Sequence, residues 1–500
     1  VQVADVIVGF LHIEKRSIAE VQGLIKHPGK KFDFYCWDLY ARVSKFYETD
    51  PSSRSRRSDA LHAIEAGEGE LAEIARLVSD AIVRAHIDTM GRLDVGYDLL
   101  PRESEILELE FWTTAFALLK ERQAIYLESK GKNKGCWVMP AKLFQKEAPP
   151  EPDGQAENDA DDDKIIVRSN ATVTYVGKDI AYQLWKFGLL TNDFHYRLFA
   201  KDSSAKPLWI SSTAPAGDPA PAFGKAAKVF NVIDVRQSYL QDVVRAGLVA
   251  LGFTEQAENS IHFSYEMVAL SPRCCAELGI ELSEEDRRRP YVEVSGRRGL
   301  GVKADDLIDR LVEKALEEVM SRHADTGESV QREIATQIAV GALRYFMLRF
   351  TRTTVIAFDF QEALSFEGET GPYVQYAAVR ARNILRKLEQ QGESMPDFDA
   401  ELSGEALRRQ LETAAFWRML LDASRRESVI EKAVAAGEPA HLARYAFNVA
   451  QAFNNFYHQH HILSETDRER KVFLLWVTKF FLEELGRVLD VMGIPAPEIM

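Results

Sequence analysis

Residues 174–188 read Thr174-Tyr-Val-Gly-Lys-Asp-Ile-Ala-Tyr-Gln-Leu-Trp-Lys-Phe-Gly188, and the change of periodicity here is the strongest structural signal in the chain. Just upstream, Lys164-Ile-Ile-Val-Arg168 has the β-branched composition of a strand. From Lys178 onward, apolar residues recur at spacings of three and four, which predicts a helix, at Ile180, Leu184 and Phe187. We therefore expect a strand that leads into a helix, with Tyr175 at the strand exit and Asp179 at the helix N-terminus.

Asp179 has two interpretations. A carboxylate at a helix N-terminus can simply cap the free N–H groups and complement the helix dipole. A fixed carboxylate beside the ring of Tyr175 is also a receptor for a guanidinium group, which favours planar bidentate pairing and stacking. The residue types alone leave both interpretations open.

Composition limits the class of protein. The chain has 500 residues, 46% of them hydrophobic and 28% charged, which is typical of a multidomain protein with ample core. No apolar run approaches the roughly 20 residues of a membrane span. The formal charge of −14 argues against a protein that coats nucleic acid non-specifically, but it leaves room for a local basic face. The cysteines have no paired CxxC spacing, and this favours a reducing cytoplasm: Cys36, Cys136, Cys274 and Cys275.

The chain changes character along its length. Residues 1–130 are mostly helical by pattern, and residues 147–163 form a Pro-rich acidic tract for which we expect a mobile surface loop. Residues 164–270 alternate strands and helices, including a buried parallel strand at Lys228-Val-Phe-Asn-Val-Ile-Asp-Val235, and such a rhythm predicts an open parallel sheet. Beyond Asp305 helices follow one another in series, which indicates a helical bundle.

The amino-acid sequence of residues 174–186 resembles the arginine-binding segment of arginyl-tRNA synthetases, a family of class I enzymes. The resemblance implies that Tyr175 and Asp179 hold the arginine side chain. It also implies that Gln237, in Arg236-Gln-Ser-Tyr239 at a strand end, helps to hold the amino acid. Taken alone, Gln237 is as well explained by a hydrogen bond to the backbone.

A second segment, Tyr291-Val-Glu-Val-Ser-Gly-Arg-Arg-Gly-Leu-Gly-Val-Lys303, resembles a degenerate form of the mobile KMSKS loop of class I synthetases. Glu293 and Val294 replace the lysine and methionine of that loop. Glycine turns and flanking arginines suit polyphosphate, and Mg²⁺ would accompany the ATP. The resemblance implies ATP contacts at His262, Tyr265, Val268, Ser295, Arg297 and Arg298. For His262 alone, a packed or capping role is an equal alternative.

A third segment runs from Phe358 through Gly371-Pro-Tyr-Val-Gln-Tyr to Lys387. Pro372 suits the first turn of a helix, which puts aromatic and basic side chains at spacings of three and four on one face: Tyr373, Tyr376 and Arg380. These residues could stack RNA bases, or the tyrosines could be core and the arginines solvated. The segment is a signature of arginyl-tRNA synthetases, where these positions and the C-terminal Met500 meet the anticodon loop.

The resemblance implies a Rossmann-like class I synthetase α/β catalytic domain, incomplete at its N-terminus, over residues 1–364, with a helical insertion. An all-α helical-bundle anticodon-binding domain would follow at 365–500. The implied enzyme is an arginine–tRNA ligase, cytoplasmic and monomeric, which uses L-arginine, ATP and tRNA(Arg). His458, His460 and His461 have no acidic or cysteine partner at ligand spacing, so we expect no protein-held metal.

The HIGH signature of class I synthetases is missing, since no His-x-Gly-His occurs in the sequence. No catalytic residue is therefore assigned, and we expect the chain to begin inside the catalytic fold and to have weak or no aminoacylation activity. The alternative is a non-catalytic tRNA-binding paralogue. Intact Tyr175, Asp179 and Gln237 argue against it, because an RNA-binding protein has no need of a guanidinium receptor.

Overall fold

The computed structural model describes residues 2–144, 163–201, 205–217, 219–293, 302–412 and 414–500, except residues 28 and 30. It divides the chain into two compact units, Val1–Tyr265 and Glu266–Met500. The boundary predicted near Leu364 falls inside the second unit, so the division into a catalytic and an anticodon-binding domain at that point stays a prediction. The acidic tract lies outside the described residues except for Asp163.

The first unit opens with helices α1 (Gln2–Val8), α2 (Ile18–Lys26), α3 (Phe32–Thr49), α4 (Arg54–Ala66) and α5 (Gly69–Gly91). These helices are amphipathic, and their apolar stripes meet in a shared core built from Val6, Ile7, Phe10, Val21, Leu39, Ile74 and Val78. The predicted helical character of residues 1–130 is therefore confirmed for this stretch.

The remaining helices of this unit are α6 (Glu103–Glu108), α7 (Phe111–Glu121), α8 (Tyr175–Lys186), α9 (Ser238–Ala250) and α10 (Thr254–Glu258). Its strands are β1 (Leu99–Leu100), β2 (Tyr126–Leu127), β3 (Trp137–Met139), β4 (Lys164–Val167), β5 (His195–Lys201), β6 (Pro207–Ser212), β7 (Val229–Asp234) and β8 (Ser260–Tyr265). They form small sheets of order β1-β6-β5, β2-β3-β4 and β7-β8. The strand predicted at 164–168 is present as β4, but it joins an antiparallel sheet rather than the parallel one.

The parallel unit expected from the βαβ rhythm is β7–α9–β8, with Val229 opposite Ser260 and Asp234 opposite Tyr265. One face of this pair packs against helices, as the hydrogen bond between Gln183 of α8 and Ser260 shows. The other face is open: Phe230 and Val232 are 54% and 63% exposed. The prediction of a parallel strand is therefore confirmed, but the prediction that this strand is buried is wrong for the face that carries Phe230 and Val232, which no helix of the described residues covers.

The second unit is almost entirely helical. It contains α11 (Pro272–Glu277), α12 (Glu284–Arg287), α13 (Ala304–Arg322), α14 (Glu328–Leu348), α15 (Phe360–Ala363), α16 (Gly371–Gln390), α17 (Phe398–Glu401), α18 (Gly404–Leu411), α19 (Ala414–Ala423), α20 (Arg426–Ala436), α21 (Ala440–Gln459) and α22 (Arg468–Val491). A parallel pair, β9 (Val268–Leu270) and β10 (Ile356–Phe358), lies beside the helices. Among the described residues, no helix is both long and apolar enough to cross a membrane.

Helices α14 and α16 approach each other closely at two glycines. A Cβ on Gly371 would overlap the carbonyl oxygen of Gly341. Beside this contact the fully buried Gln375 donates from its Nε2 to the carbonyls of Gln337 (3.0 Å) and Pro495 (2.6 Å). The amide thereby ties both helices to the C-terminal segment, which fixes the position of α16.

Candidate functional site

Helix α8 begins earlier than the sequence predicted. Its first residue is Tyr175, and Thr174 precedes it in an extended conformation. The Thr174 hydroxyl donates back to the carbonyls of Ile165 (3.1 Å) and Ile166 (3.0 Å), which fixes the turn from β4 into the helix. Asp179 therefore lies in the second turn and is not an N-cap, so the capping interpretation is wrong. The spacing of four puts Tyr175 and Asp179 on the same helix face.

The Asp179 carboxylate has no cation within ion-pair distance in the described part of the chain. It is exposed to solvent, and neither an ion pair nor a side-chain hydrogen bond joins it to another residue of the described chain. Burial among surrounding protein atoms, followed by the Glu103 carboxylate, raises the pKa of Asp179 to about 6, although Lys186 and Lys178 oppose the shift. The carboxylate is thus surrounded by protein atoms and still accessible from solvent, so a ligand cation can reach it.

Lys186 is a candidate site residue that the sequence analysis did not single out. Its Nζ is 3.0 Å from Oδ1 of Asn231 on β7 and 4.5 Å from the ring centroid of Tyr182. Burial lowers the pKa of Lys186 to about 8, and Asp179 partly counters this. The spacing in the sequence could have identified Lys186, because residue 186 lies two helical turns beyond Asp179 on the same face of α8.

Gln237 follows β7, at the carboxyl end of the parallel pair, and its side chain is exposed. Asp234 ends β7 opposite Tyr265, which ends β8 and is 41% exposed. The guanidinium of Arg236 is 2.8 Å from the Asp234 carboxylate, and this hydrogen bond lowers the pKa of Asp234 to about 2. The structure thus brings Gln237 and Tyr265 to one end of the sheet, where ligands of parallel sheets gather.

His262 is held by the backbone. Its Nε2 donates to the carbonyl of Ile233 at 2.9 Å, so only Nδ1 is left for the predicted ATP contact. Val268 begins β9 in the second unit and is 47% exposed. The remaining predicted ATP residues lie outside the described part of the chain: Ser295, Arg297 and Arg298.

A second candidate site is a cavity of about 480 Å³ in the helical unit, lined in part by Tyr376, Arg380 and Met500. The Arg380 guanidinium lies between two rings, 4.6 Å from the centroid of Tyr376 and 4.8 Å from that of Tyr457. Its Nη1 donates to Oδ1 of Asn454 at 2.6 Å. The structure therefore brings together three of the four residues predicted to meet RNA, and it adds Tyr457.

Tyr373 lies apart from this cavity. Its ring packs at 5.3 Å against Phe447 of α21, and it is partly buried against the bundle core. The spacing of three from Tyr376 did not put both rings in the same environment, because neighbouring helices cover different parts of the face. Its predicted RNA contact stays a prediction.

His458, His460 and His461 line the same cavity. His460 stacks on Phe416 at 5.1 Å, and burial followed by the charge of Arg470 lowers its pKa. Among the described residues, no group of three His, Cys, Asp or Glu side chains is arranged to hold a metal ion.

Comparison with known proteins identifies the family of this chain. A family model described as the DALR anticodon binding domain matches residues 374–500, which begin within α16. The arginine–tRNA ligase of Thermococcus kodakarensis is 32% identical over 513 residues, which cover all of this chain and 73% of that protein. The chain belongs to the arginine–tRNA ligase family.

Other members of the arginine–tRNA ligase family support this. The enzyme of Thermus thermophilus is 31% identical over 503 residues, which cover 97% of this chain and 74% of its own length. A solved structure, the arginyl-tRNA synthetase of Thermus thermophilus, matches with a TM-score of 0.75 at 29% identity, over 99% of this chain and 74% of that one. The fold is thus that of a class I synthetase with a C-terminal helical domain. As an arginine–tRNA ligase (EC 6.1.1.19), the protein uses ATP and has tRNA as its partner.

Proposed function

We propose that Tyr175 and Asp179 line a recess that receives the guanidinium of L-arginine, with Gln237 as an additional contact to the amino acid. The single observation that carries this is the state of Asp179, a solvent-open carboxylate with a raised pKa and no cation within ion-pair distance in the described chain. A planar cation relieves that electrostatic cost and pairs with both carboxylate oxygens. The Tyr175 ring, 56% exposed on the same helix face, is available for stacking.

Activation of arginine requires ATP beside this recess. In the reaction, the arginine carboxylate attacks the α-phosphate of ATP and releases pyrophosphate, and the arginyl group then passes to the terminal ribose of tRNA. We assign ATP contacts to Tyr265, the Nδ1 side of His262, Val268, and the segment that carries Ser295, Arg297 and Arg298. These residues bind and orient, since such sites work by positioning and charge stabilisation.

Mg²⁺ enters only as the counterion of the ATP phosphates. In the described part of the chain, no group of three acidic, histidine or cysteine side chains is arranged to hold a metal ion. We also infer, from the family, that the protein works as a monomer in the cytoplasm.

We further propose that the cavity with Tyr376, Arg380 and Met500 binds unpaired bases of the tRNA anticodon loop. The rings of Tyr376 and Tyr457, which pack against the Arg380 guanidinium, are aromatic surfaces on which bases can stack. Lysine and histidine side chains around them suit phosphate: Lys387, His458 and His461. Residues 365–500 would then be the anticodon-binding domain and residues 1–364 the catalytic domain.

The experiment is a titration of the protein with L-arginine and with L-citrulline, whose neutral ureido group has the size of guanidinium. Wild type should bind arginine more tightly, and Asp179→Asn should weaken arginine binding about 100-fold while removing the preference over citrulline. Asp88→Asn, on an exposed position of α5, is the matched control, and all titrations are run with and without tRNA. Equal affinity for the two ligands, or unchanged arginine binding by Asp179→Asn, would refute the proposal.

A further inference from the structure

A separate cavity of about 340 Å³ lies inside the first unit, lined by residues of α5, α6, β5 and β6. Its volume is at the small end of the range for ligand pockets. None of the residues assigned above to arginine, ATP or RNA lines it. The cavity therefore needs its own explanation.

The strongest feature of this cavity is a buried carboxylate, that of Glu105 on α6, which is only 4% exposed. Its Oε2 has no hydrogen-bond partner in the described chain, and Nη1 of Arg102 approaches Oε1 only to 3.9 Å. The fully buried Ser211 forms a hydrogen bond with the carboxylate and also accepts the backbone N–H of Arg102 at 2.8 Å. An unpaired oxygen of this kind is costly unless a donor enters the cavity.

Guanidinium groups supply the opposite charge. Arg102 and Arg197 share one carboxylate, that of Asp80, at 2.5 Å and 3.6 Å. Arg76, exposed at the cavity, has no carboxylate within ion-pair distance in the described chain, and its Nη2 donates only to the carbonyl of Gly67 at 3.4 Å. The cavity thus has an unpaired hydrogen-bond acceptor, Oε2 of Glu105, and a guanidinium without an ion-pair partner in the described chain, that of Arg76.

The remaining wall is aliphatic, since its apolar residues carry no aromatic ring: Val3, Ile64, Ala72 and Ala75. A ligand that is complementary to this cavity has a cationic hydrogen-bond donor for Glu105, an anion for Arg76 and a short aliphatic group for the apolar residues, all within a few bonds of one another. We propose that this cavity binds a free aliphatic α-amino acid, with its ammonium group on Glu105 and its carboxylate on Arg76. The aliphatic side chain lies against Ile64, Ala72 and Ala75.

The proposal is tested by calorimetric titration of the protein with L-leucine. Two analogues isolate the charged groups: 4-methylpentanoate lacks the ammonium, and 3-methylbutylamine lacks the carboxylate. Wild type should bind L-leucine, and each analogue should bind at least about tenfold more weakly, because one buried charge is then left unpaired. The variants Glu105→Gln and Arg76→Gln should each weaken leucine binding by a similar factor.

Glu73→Gln, an exposed carboxylate on α5 that does not line the cavity, is the control and should bind leucine as wild type does. Arg76 is exposed, so Arg76→Gln keeps the test valid if Glu105→Gln fails to fold. L-Arginine titration of the same variants separates this site from the one at Asp179, which should be unaffected. No leucine binding by wild type, equal binding of the analogues, or binding of inorganic phosphate in place of leucine would overturn the proposal.

Discussion

The guanidinium of Arg380 on α16 lies 4.8 Å from the ring centroid of Tyr457 on α21. With Tyr376 on its other side and Asn454 accepting its Nη1, the side chain is fixed by three neighbours before any ligand arrives. A fixed planar cation loses little conformational entropy when a base or phosphate binds to it.

Replacing Arg380 with alanine should weaken tRNA binding by about 10- to 100-fold, because the rings of Tyr376 and Tyr457 lose the side chain that holds them in place, and each base stacked on such a ring contributes roughly 1–3 kcal/mol. Arg380→Lys should rescue only part of the loss, because an ammonium group does not stack between two rings. Filter binding with tRNA measures both, with the exposed Arg418→Ala as a charge-matched control. Equal losses in Arg380→Ala and Arg418→Ala would mean that only net charge matters.

The affinity for L-arginine should depend on pH through Asp179, whose pKa is raised to about 6 by burial and by Glu103. The guanidinium needs the charged carboxylate, so affinity should be constant above pH 7 and decrease as pH falls through 6. At pH 5 it should be about tenfold weaker, since one pH unit below the pKa about a tenth of the carboxylate is ionised. Titrations from pH 5 to 8 measure this, and a flat profile in wild type would contradict it.

Without bound substrate, the charged Asp179 carboxylate should lower the free energy of unfolding. Because the folded pKa of about 6 lies above the ordinary 3.8, the charge destabilises the folded state fully above pH 6, and the penalty fades towards pH 3.8. Asp179→Asn should therefore raise the melting temperature at pH 7.5 by roughly 2–4 °C, about 1 kcal/mol after solvent screening. The gain should shrink at pH 4.5, and a variant that melts lower than wild type at pH 7.5 would exclude this reading.

The contact between α14 and α16 leaves no room for a side chain at Gly371, because its Cβ would meet the backbone carbonyl of Gly341. Gly371→Ala should destabilise the helical unit by about 1–3 kcal/mol through this overlap. Gly404→Ala is the matched control, since a Cβ at the start of α18 meets nothing within 4 Å. Urea unfolding compares the two variants, and equal midpoints would show that α16 shifts at little cost.

Local patterns in the sequence were sufficient for much of the fold. The apolar pattern predicted helices in series beyond Asp305, as α13 to α22 confirm, and helical spacing placed Tyr376 and Arg380 on one face of α16. It failed at the start of α8, where a β-branched run up to Tyr175 resembled a strand. There the hydroxyl of Thr174 bonds back to β4 and starts the helix.

The sequence by itself determined which residues share a helix face and which family motifs the chain carries, because both depend on neighbours along the chain. Tertiary packing alone decided that Tyr457 completes the platform around Arg380, and that Asn231 meets Lys186. Packing also decided that Phe230 and Val232 are exposed to solvent. It buried Glu105 in a cavity that it shares with arginines from distant parts of the chain, Arg76 and Arg197. Each of these depends on which elements lie side by side, and no periodicity within one element encodes that choice.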